Sequence, residues 1–524
     1  CKSIPDPILG VVDTATNPPR LVVHRASGVS GSREALRSPG SCCTSRGWCS
    51  ICGHFCSIVG SPELAEGGTN WTTGDLNGDG YTDLVTIHGQ SASVLFGRPF
   101  SKNDAASYTE PALDMSLGWG DPEGLQSLAV GDVNDDGYDD IVLGGAMPRV
   151  AVLLGRASWA AGQSVGPVDA IDVDTGLPAV ADVLVTAPAT WGQEPKTVGG
   201  IAGLAVADFN GDGRDDIAIG YIKEGNSTWT GTSPTCGNLN TCGNFLDQCN
   251  TTFSSEVFVV PADATWGAGS PVTIDLGSWS TEAIFHIQST TLAIGSFMDV
   301  VDVDADFQGD LVVTGWGSGL TGATETTLHA FKGSTYPPGT SRTYDAADYE
   351  ILRPAGGPGL EVTTLEGQRS LLVPDMSGRG LLYRIPATGG LSNPIDVSAP
   401  PAGTTVVRGR DVGQEFGYAH VVGDFDGDGQ PDLAVGAPKA GSVEDPAWAD
   451  RGVVYLFYGG NPALNANPGL ARDSDAKIVG AAAGERFGEK LEVGDFNADG
   501  YDDLFVSREG QVDVFVIFGG PRGP

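Results

Sequence analysis

Basic residues are scarce in this chain: 29 Lys and Arg stand against 66 Asp and Glu in 524 residues, a formal net charge of −37. Phosphate-rich partners are repelled by such a surface, which excludes nucleic acid and disfavours anionic membrane for the bulk of the chain. Cations are its natural partners. No apolar run reaches the roughly 18 residues that a membrane-crossing helix needs. Histidine is rare, with six copies (His24, His54, His88, His286, His329, His420), none in a nucleophile motif, and no G-x-S-x-G occurs. Long helical patterning is missing too, because 77 Gly and 33 Pro break the chain into short pieces. Apolar residues make up 40%, enough for a substantial core.

What the chain does contain is a repeat. "DFDGDGQPDLAVGAP" begins at Asp424, and close copies begin at Asp75, Asp132, Asp208 and Asp495. A worn copy, "DVDADFQGDLVVTG", begins at Asp302, and a more worn one, "DMSGRGLLYRI", at Asp375. The seven starts lie 49 to 94 residues apart. Each copy is preceded by a short apolar strand and runs into a second, as in "DLAVGA". A third follows ("SVLFG", "RVAVLLG", "VVYLFYG"), then a weaker fourth ("ALDMSLG", "DAIDV", "VTIDLG"). Four short strands per unit, with units in series, predict an all-β fold: a seven-bladed β-propeller spanning 67–524, after an N-terminal tether and Cys-rich segment at 1–66. After "VDVFVIFGG" only "PRGP" remains, so the last blade is one strand short. An unpaired edge there would be a liability, so an N-terminal strand is expected to close the ring, with "RLVVHRA" (20–26) or "CSIVGS" (56–61) as candidates.

The loop spelling D-x-D/N-x-D-G-x-x-D places oxygen donors at positions 1, 3, 5 and 9, with a backbone carbonyl available at 7. Hard cations such as Ca²⁺ take six to eight oxygens. The glycine at position 6 permits the left-handed turn that brings the donors round one centre. The expected ligands are Asp75, Asn77, Asp79, Tyr81 and Asp83; Asp132, Asn134, Asp136, Tyr138 and Asp140; and Asp208, Asn210, Asp212, Arg214 and Asp216. They continue with Asp302, Asp304, Asp306 and Asp310; Asp424, Asp426, Asp428, Gln430 and Asp432; and Asp495, Asn497, Asp499, Tyr501 and Asp503. The Asp302 loop carries Phe307 where glycine belongs and is expected to bind more weakly. The Asp375 loop has Ser377, Arg379 and Tyr383 at positions 3, 5 and 9, so no metal is expected; Arg379 would fill the cation's place. Five or six Ca²⁺ ions per chain follow. One copy alone would read equally well as an Asx-Gly turn. Six copies with donors at fixed offsets, holding twenty of the 66 acids, favour the cation cage, with the metal mainly structural.

Residues 413–438, "GQEFGYAHVVGDFDGDGQPDLAVGAP", resemble the FG-GAP repeat of integrin α-subunit propellers: Phe416-Gly417, the Asp loop and Gly436-Ala437-Pro438 come in order. Residues 484–507 repeat the first two parts, with Ser507 and Arg508 in place of the last. Earlier copies are similar to the related VCBS-type repeat. The resemblance implies a propeller and Ca²⁺, whereas such propellers serve adhesion proteins, lectins, some lyases and domains appended to phospholipases. Integrins bind ligand on the face opposite the Ca²⁺ loops, together with a β-subunit, and no residue here carries that role over.

The chain opens "CKSIPDP", which resembles a mature bacterial lipoprotein with a lipid-bearing Cys1; a trimmed fragment is the other reading. A single acylated terminus would be an anchor and not a spanning element. Residues 1–60 carry six basic and three acidic residues, net +3, leaving −40 for the rest. This segment also holds Cys42, Cys43, Cys49, Cys52, His54 and Cys56. Their spacing is a weak zinc signal, and disulfides are the blander reading for an extracellular chain. Cys236, Cys242 and Cys249 lie in a polar insertion, and setting Cys1 aside leaves eight of nine cysteines, enough for four disulfides.

No catalytic motif emerges. "GSGLTG" (317–322) matches G-x-G-x-x-G but leads into a strand, so it reads as a hairpin loop without a helix N-terminus for phosphate. Trp159, Trp191 and Trp266 would stack on sugars if exposed, or pack between blades. The resulting expectation is a monomeric, surface-exposed, Ca²⁺-binding adhesion or ligand-binding module with a protein or glycan ligand. It would lie outside the cytoplasm, secreted or anchored at the cell surface or outer membrane. A propeller enzyme acting on polysaccharide or phosphodiester, and a lectin without catalysis, are the alternatives.

Overall fold

The computed structural model describes residues 8–13, 20–25, 71–99, 114–122, 124–146, 149–171, 177–187, 200–223, 227–229, 249–251, 254–267, 270–279, 285–289, 292–317, 327–333, 337, 339–353, 360–387, 391, 393–441, 449–508 and 514–522. The fold is an all-β propeller of seven blades. From the innermost strand outward, the first blade holds Trp71–Gly74, Asp83–His88, Ser91–Leu95 and Met115–Gly118. The sixth holds His420–Gly423, Asp432–Ala437, Val453–Phe457 and Ala476–Val479. All pairings within these sets of four are antiparallel. Second strands such as Asp432–Ala437 are buried along their whole length because both faces pack on neighbouring blades. The apolar clusters fall between blades. One joins Ile351 and Ile395 to Leu371 and Ile385; another joins Val454 and Leu456 to Phe487 and Leu504.

Five blades carry a fifth strand that the spacing of apolar residues does not announce. Gln163–Val165, Val272–Asp275, Thr340–Thr343, Ile395–Asp396 and Gly469–Leu470 each run parallel to the fourth strand of the blade before. Each comes from the segment that links the third and fourth strands of the following blade. Two expected fourth strands are thereby corrected. "VTIDLG" supplies the fifth strand of the second blade, and the third blade's fourth strand is Phe285–Ser289. "DAIDV" contributes, among its described residues, an isolated bridge at Ile171, and the second blade's fourth strand is Val183–Thr186.

The ring closes through the N-terminal segment. Ile8–Asp13 pairs antiparallel with Val514–Ile517 as the fourth strand of the last blade, and Arg20–Arg25 lies outside it as the fifth. The expected closing strand at 20–26 is therefore in the right sheet, one place further out. The other candidate, 56–61, lies outside the described residues, as do Cys1, the Cys42–Cys56 cluster, Cys236, Cys242, Trp191 and most of "GSGLTG". Cys249 starts a short strand in a two-stranded ribbon.

The fifth blade departs from the rest. Its inner and second strands, Glu361–Leu365 and Gln368–Asp375, are joined by a tight hairpin at Glu366 and Gly367, both left-handed. The worn Asp375 stretch therefore sits between the second and third strands, at the opposite end of the blade from the other six Asp loops. It shares their first Asp and their position-6 Gly but not their place.

Candidate metal sites

Each of the six Asp loops joins an inner strand to a second strand, and one hydrogen-bond scheme recurs among them, except that in the Asp302 loop the position-3 Asp304 turns to Lys332 in place of the position-5 amide. The position-1 carboxylate gathers the amides that follow: Asp75 accepts from Gly78 at 2.8 Å, Asp79 at 3.2 Å and Gly80 at 3.0 Å. Asp208 and Asp302 do the same, the latter accepting from Ala305 at 2.7 Å and Phe307 at 3.1 Å. The position-3 side chain accepts the position-5 amide, as Asn134 does from Asp136 at 3.2 Å. Position 5 accepts from the amide of position 7, as in Asp499 with Tyr501 at 3.1 Å. These Asx-type turns are what alternating Asp and Asn side chains favour. They also leave the carboxylates facing inward together.

The ninth position ties the loop to the sheet. Asp83, Asp140, Asp216, Asp310, Asp432 and Asp503 are all 0% exposed. Asp83 takes the Leu76 amide at 2.9 Å on one oxygen and the Gly97 amide, at the end of the third strand, at 2.8 Å on the other. Asp140, Asp310, Asp432 and Asp503 repeat this pair. Burial pushes Asp83, Asp140 and Asp503 up to about 8, and Asp216, Asp310 and Asp432 to about 7. Backbone amides oppose that shift, while loop carboxylates around each group add to it by repulsion. Near neutral pH, a proton or a cation at its oxygens would relieve such a carboxylate of that burial and repulsion.

The donor set answers to a cation. Oxygens of Asp302, Asp304 and Asp310 lie within 4.8 Å of one another, and so do those of Asp424, Asp426 and Asp432. In the other four loops position 3 is Asn. The crowding also draws in the chain's own bases. Lys332 Nζ lies 2.7 Å from Asp304, and an Arg369 nitrogen 2.9 Å from Asp302. Arg522 pairs with Asp426, stands 3.3 Å from Asp428 and stacks over Tyr458 at 4.4 Å. All-oxygen, carboxylate-rich loops of this kind fit a hard divalent ion such as Ca²⁺.

Asp375 is different. It is buried, its two oxygens accept the Ser377 amide and hydroxyl at 2.9 Å each, and its electrostatic partner is the buried Arg353. Arg379 does not fill a cation's place there, contrary to expectation. Its guanidinium reaches the Arg410 carbonyl, 2.5 Å away.

The eighth position, which the spelling leaves open, links the loops to one another. The Asp139 amide donates to the Asp75 carbonyl at 3.0 Å, Asp215 to Asp132 at 3.1 Å, Gly309 to Asp208 at 3.0 Å and Asp502 to Asp424 at 3.1 Å. Thr82 donates to Asp495 at 3.0 Å, carrying the chain of bonds across the seam between last and first blades. Pro431 occupies this position in the Asp424 loop and has no amide to give. There the hairpin of the fifth blade bridges by side chains: Arg369 bonds the Asp302 carbonyl, and Glu366 accepts from Gly460 at 2.7 Å.

The Phe-Gly positions are structural. Phe416 is buried edge-on to Tyr455, 5.5 Å between centroids, and Phe487 edge-on to Phe515 at 5.2 Å. Gly417 and Gly488 are left-handed, and a Cβ on Gly436 would strike the Gly488 carbonyl of the next blade. Trp159 and Trp266 are buried too, so they pack. His286, His329 and His420 are buried; His286 lies flat on Phe258 and His329 on Tyr344.

Two stretches, residues 201–232 and 416–457, match the FG-GAP repeat. Integrin alpha-PS2 of Drosophila melanogaster is 34% identical over 125 residues, which cover 22% of this chain and 9% of that protein. Phosphatidylinositol-glycan-specific phospholipase D of Rattus norvegicus is 33% identical over 118 residues, covering 22% and 13%. Among solved structures, BBS1N in complex with ARL6DN aligns over 87% of this chain and 92% of that one, at 11% identity and a TM-score of 0.40. The matched stretch thus spans about a tenth of the length of these two relatives.

Proposed function

From a seven-bladed propeller that carries FG-GAP repeats and is homologous in part to integrin α-subunits, we propose a Ca²⁺-stabilised binding or adhesion module that works outside the cytoplasm. The observation that carries this reading is the set of six buried position-9 aspartates, each tied to the sheet by its own strand ends and crowded by loop carboxylates. The ions would be held by Asp75, Asn77, Asp79 and Asp83 and their counterparts in the Asp132, Asp208, Asp302, Asp424 and Asp495 loops, with the position-7 carbonyl as a further donor. A bound ion supplies the positive charge that lets every carboxylate stay ionised, and so locks one end of each blade. Extracellular Ca²⁺ modules work at dissociation constants near 10⁻⁴–10⁻³ M, which places such a module where calcium is millimolar. The similarity to the phospholipase D covers 13% of that protein and does not extend its activity to this chain.

Thermal unfolding of the purified chain with Ca²⁺ and with chelator, together with metal counting, tests the reading. Each site held at 100 times its dissociation constant adds about 2.7 kcal/mol. Five or six ions per chain and a large fall in melting temperature on chelation are expected. No bound metal and no shift would reduce the loops to turns.

A further inference from the structure

Among the described residues, the sixth blade has an open edge. In the first five blades a parallel strand covers the fourth strand, and in the seventh Arg20–Arg25 covers it. Among the described residues nothing pairs with the outer side of Ala476–Val479. The reason is topological. Each fifth strand comes from the link between third and fourth strands of the next blade, and in the seventh blade no such link joins them, because the fourth strand, Ile8–Asp13, precedes the third, Val514–Ile517, by the whole ring.

The fourth blade shows how the slot is used. The Glu350 amide of its fourth strand donates outward to Asn393 Oδ1 at 3.0 Å, and the Leu352 carbonyl accepts from the Val397 amide at 3.0 Å. In the sixth blade Lys477 and Val479 stand at these places. The Gly480 amide donates inward to Gly452 at 3.0 Å, and alternation then turns the amides and carbonyls of Lys477 and Val479 away from the blade. Lys477 lays its ammonium over the Tyr455 ring at 5.3 Å, along the face of the sheet and off its edge.

The resident strands also show what chemistry the slot takes. Two of the five contain Ile-Asp, as Ile274-Asp275 and Ile395-Asp396. Ile395 is fully buried against Ile351 and the next blade, and Asp275 and Asp396 point the other way. In the sixth blade Ile478 faces the seventh blade as Ile351 faces the fifth. The opposite face carries Lys477, the one charged side chain of this strand, which is repelled by Arg410, attracted by Asp473 and has the Arg472 carbonyl 3.5 Å from its ammonium.

We propose that the outer edge of Ala476–Val479 is a docking site for an extended segment of a partner protein. The segment adds as a parallel strand, its aliphatic residue seated beside Ile478 and the adjoining acidic residue on the Lys477 side. This is strand addition, in which main-chain bonds give affinity and alternate side chains give selectivity. It does not depend on the loops holding a cation.

The probe is the chain's own fifth-strand sequence, the synthetic peptide SPVTIDLG (residues 270–277), added to the full chain and read by amide hydrogen exchange. In the free chain the Lys477 and Val479 amides should exchange at least tenfold faster than those of Glu350 and Leu352. The peptide should slow them by a similar factor, and its Ile274→Asp version should not. Val479→Pro removes one outward donor while the inward bonds of Ile478 and Gly480 stay, so it should keep the melting temperature and lose the effect. Lys477→Glu should weaken binding severalfold. Lys477 and Val479 amides already protected in the free chain would show the chain covering its own edge, and would overturn the proposal. So would undiminished binding to Val479→Pro.

Discussion

Asp139 and Asp75 are joined by two hydrogen bonds across the first and second blades: the Asp139 amide donates to the Asp75 carbonyl at 3.0 Å, and the Asp75 amide donates to the Asp139 carboxylate at 2.7 Å. Asp502 and Asp424 repeat the pair at 3.1 and 2.7 Å. The eighth loop residue, Pro431 excepted, is thus the rivet between adjacent Asp loops. Asp139→Ala leaves the half-buried Asp75 amide without its carboxylate and should cost about 1–3 kcal/mol. Asp139→Asn keeps an acceptor and should cost less. Urea unfolding of the two variants measures the difference.

The stability of the chelated protein should rise as the pH falls from 8.5 to 6.5. The position-9 carboxyls have folded values of about 7 to 8, raised from 3.8. A raised folded value contributes stability that is full below the unfolded value and is lost as pH rises through the folded one. With Ca²⁺ bound, the ion replaces the proton and this rise should vanish. Below 6.5 an opposing effect enters, because burial holds His286 and His420 down at about 4 against 6.5 unfolded. Melting curves across pH, with and without chelator, would show no difference if the carboxyls were ordinary.

Phe307 occupies the left-handed position of the Asp302 loop at φ +71° and is 94% exposed. A left-handed residue with a Cβ costs roughly 1–2 kcal/mol, and the greater freedom of an unfolded glycine takes back about 0.4–1. Phe307→Gly should therefore stabilise by about 0.5–1 kcal/mol and tighten Ca²⁺ binding at that loop. An unchanged urea midpoint would contradict it.

Arg522 is paired with Asp426 and stands 3.3 Å from Asp428, where it would compete with a cation for the Asp424 loop. A half-exposed ion pair of this kind is worth up to about 1 kcal/mol. Calorimetric titration of Arg522→Ala should show one site per chain binding Ca²⁺ up to about fivefold more tightly, with the others unchanged.

Phe416→Ala empties a fully buried site between the fifth and sixth blades and should cost about 3–5 kcal/mol. Ca²⁺ should still bind at the Asp302 and Asp495 loops, since the ring packs blade by blade.

Where local chemistry decides the structure, residues speak for themselves. The alternating Asp and Asn side chains fold their own turns, so Asp75 through Asp83 are legible without neighbours. The closing strand lies one position inside "RLVVHRA" because that stretch and Ile8–Asp13 both read as short apolar strands, and only ring geometry ranks them. Fifth strands as short as Ile395–Asp396 have no periodicity to detect. The Asp375 stretch misled for the opposite reason. It keeps the first Asp and the Gly380 of the loop, while the Glu366–Gly367 hairpin upstream has already made the turn.

The seam between Ile8–Asp13 and Val514–Ile517 has a mechanical polarity. Leu9 faces Ile517 and Val12 faces Val514, so the chain leaves both strands at the same end of the pair. Tension applied through residues 8 and 517 loads these bonds one after another, as a zip is opened, and not all at once in shear. A tether at both ends would open the ring at low force; a tether at one end would leave the seam unloaded.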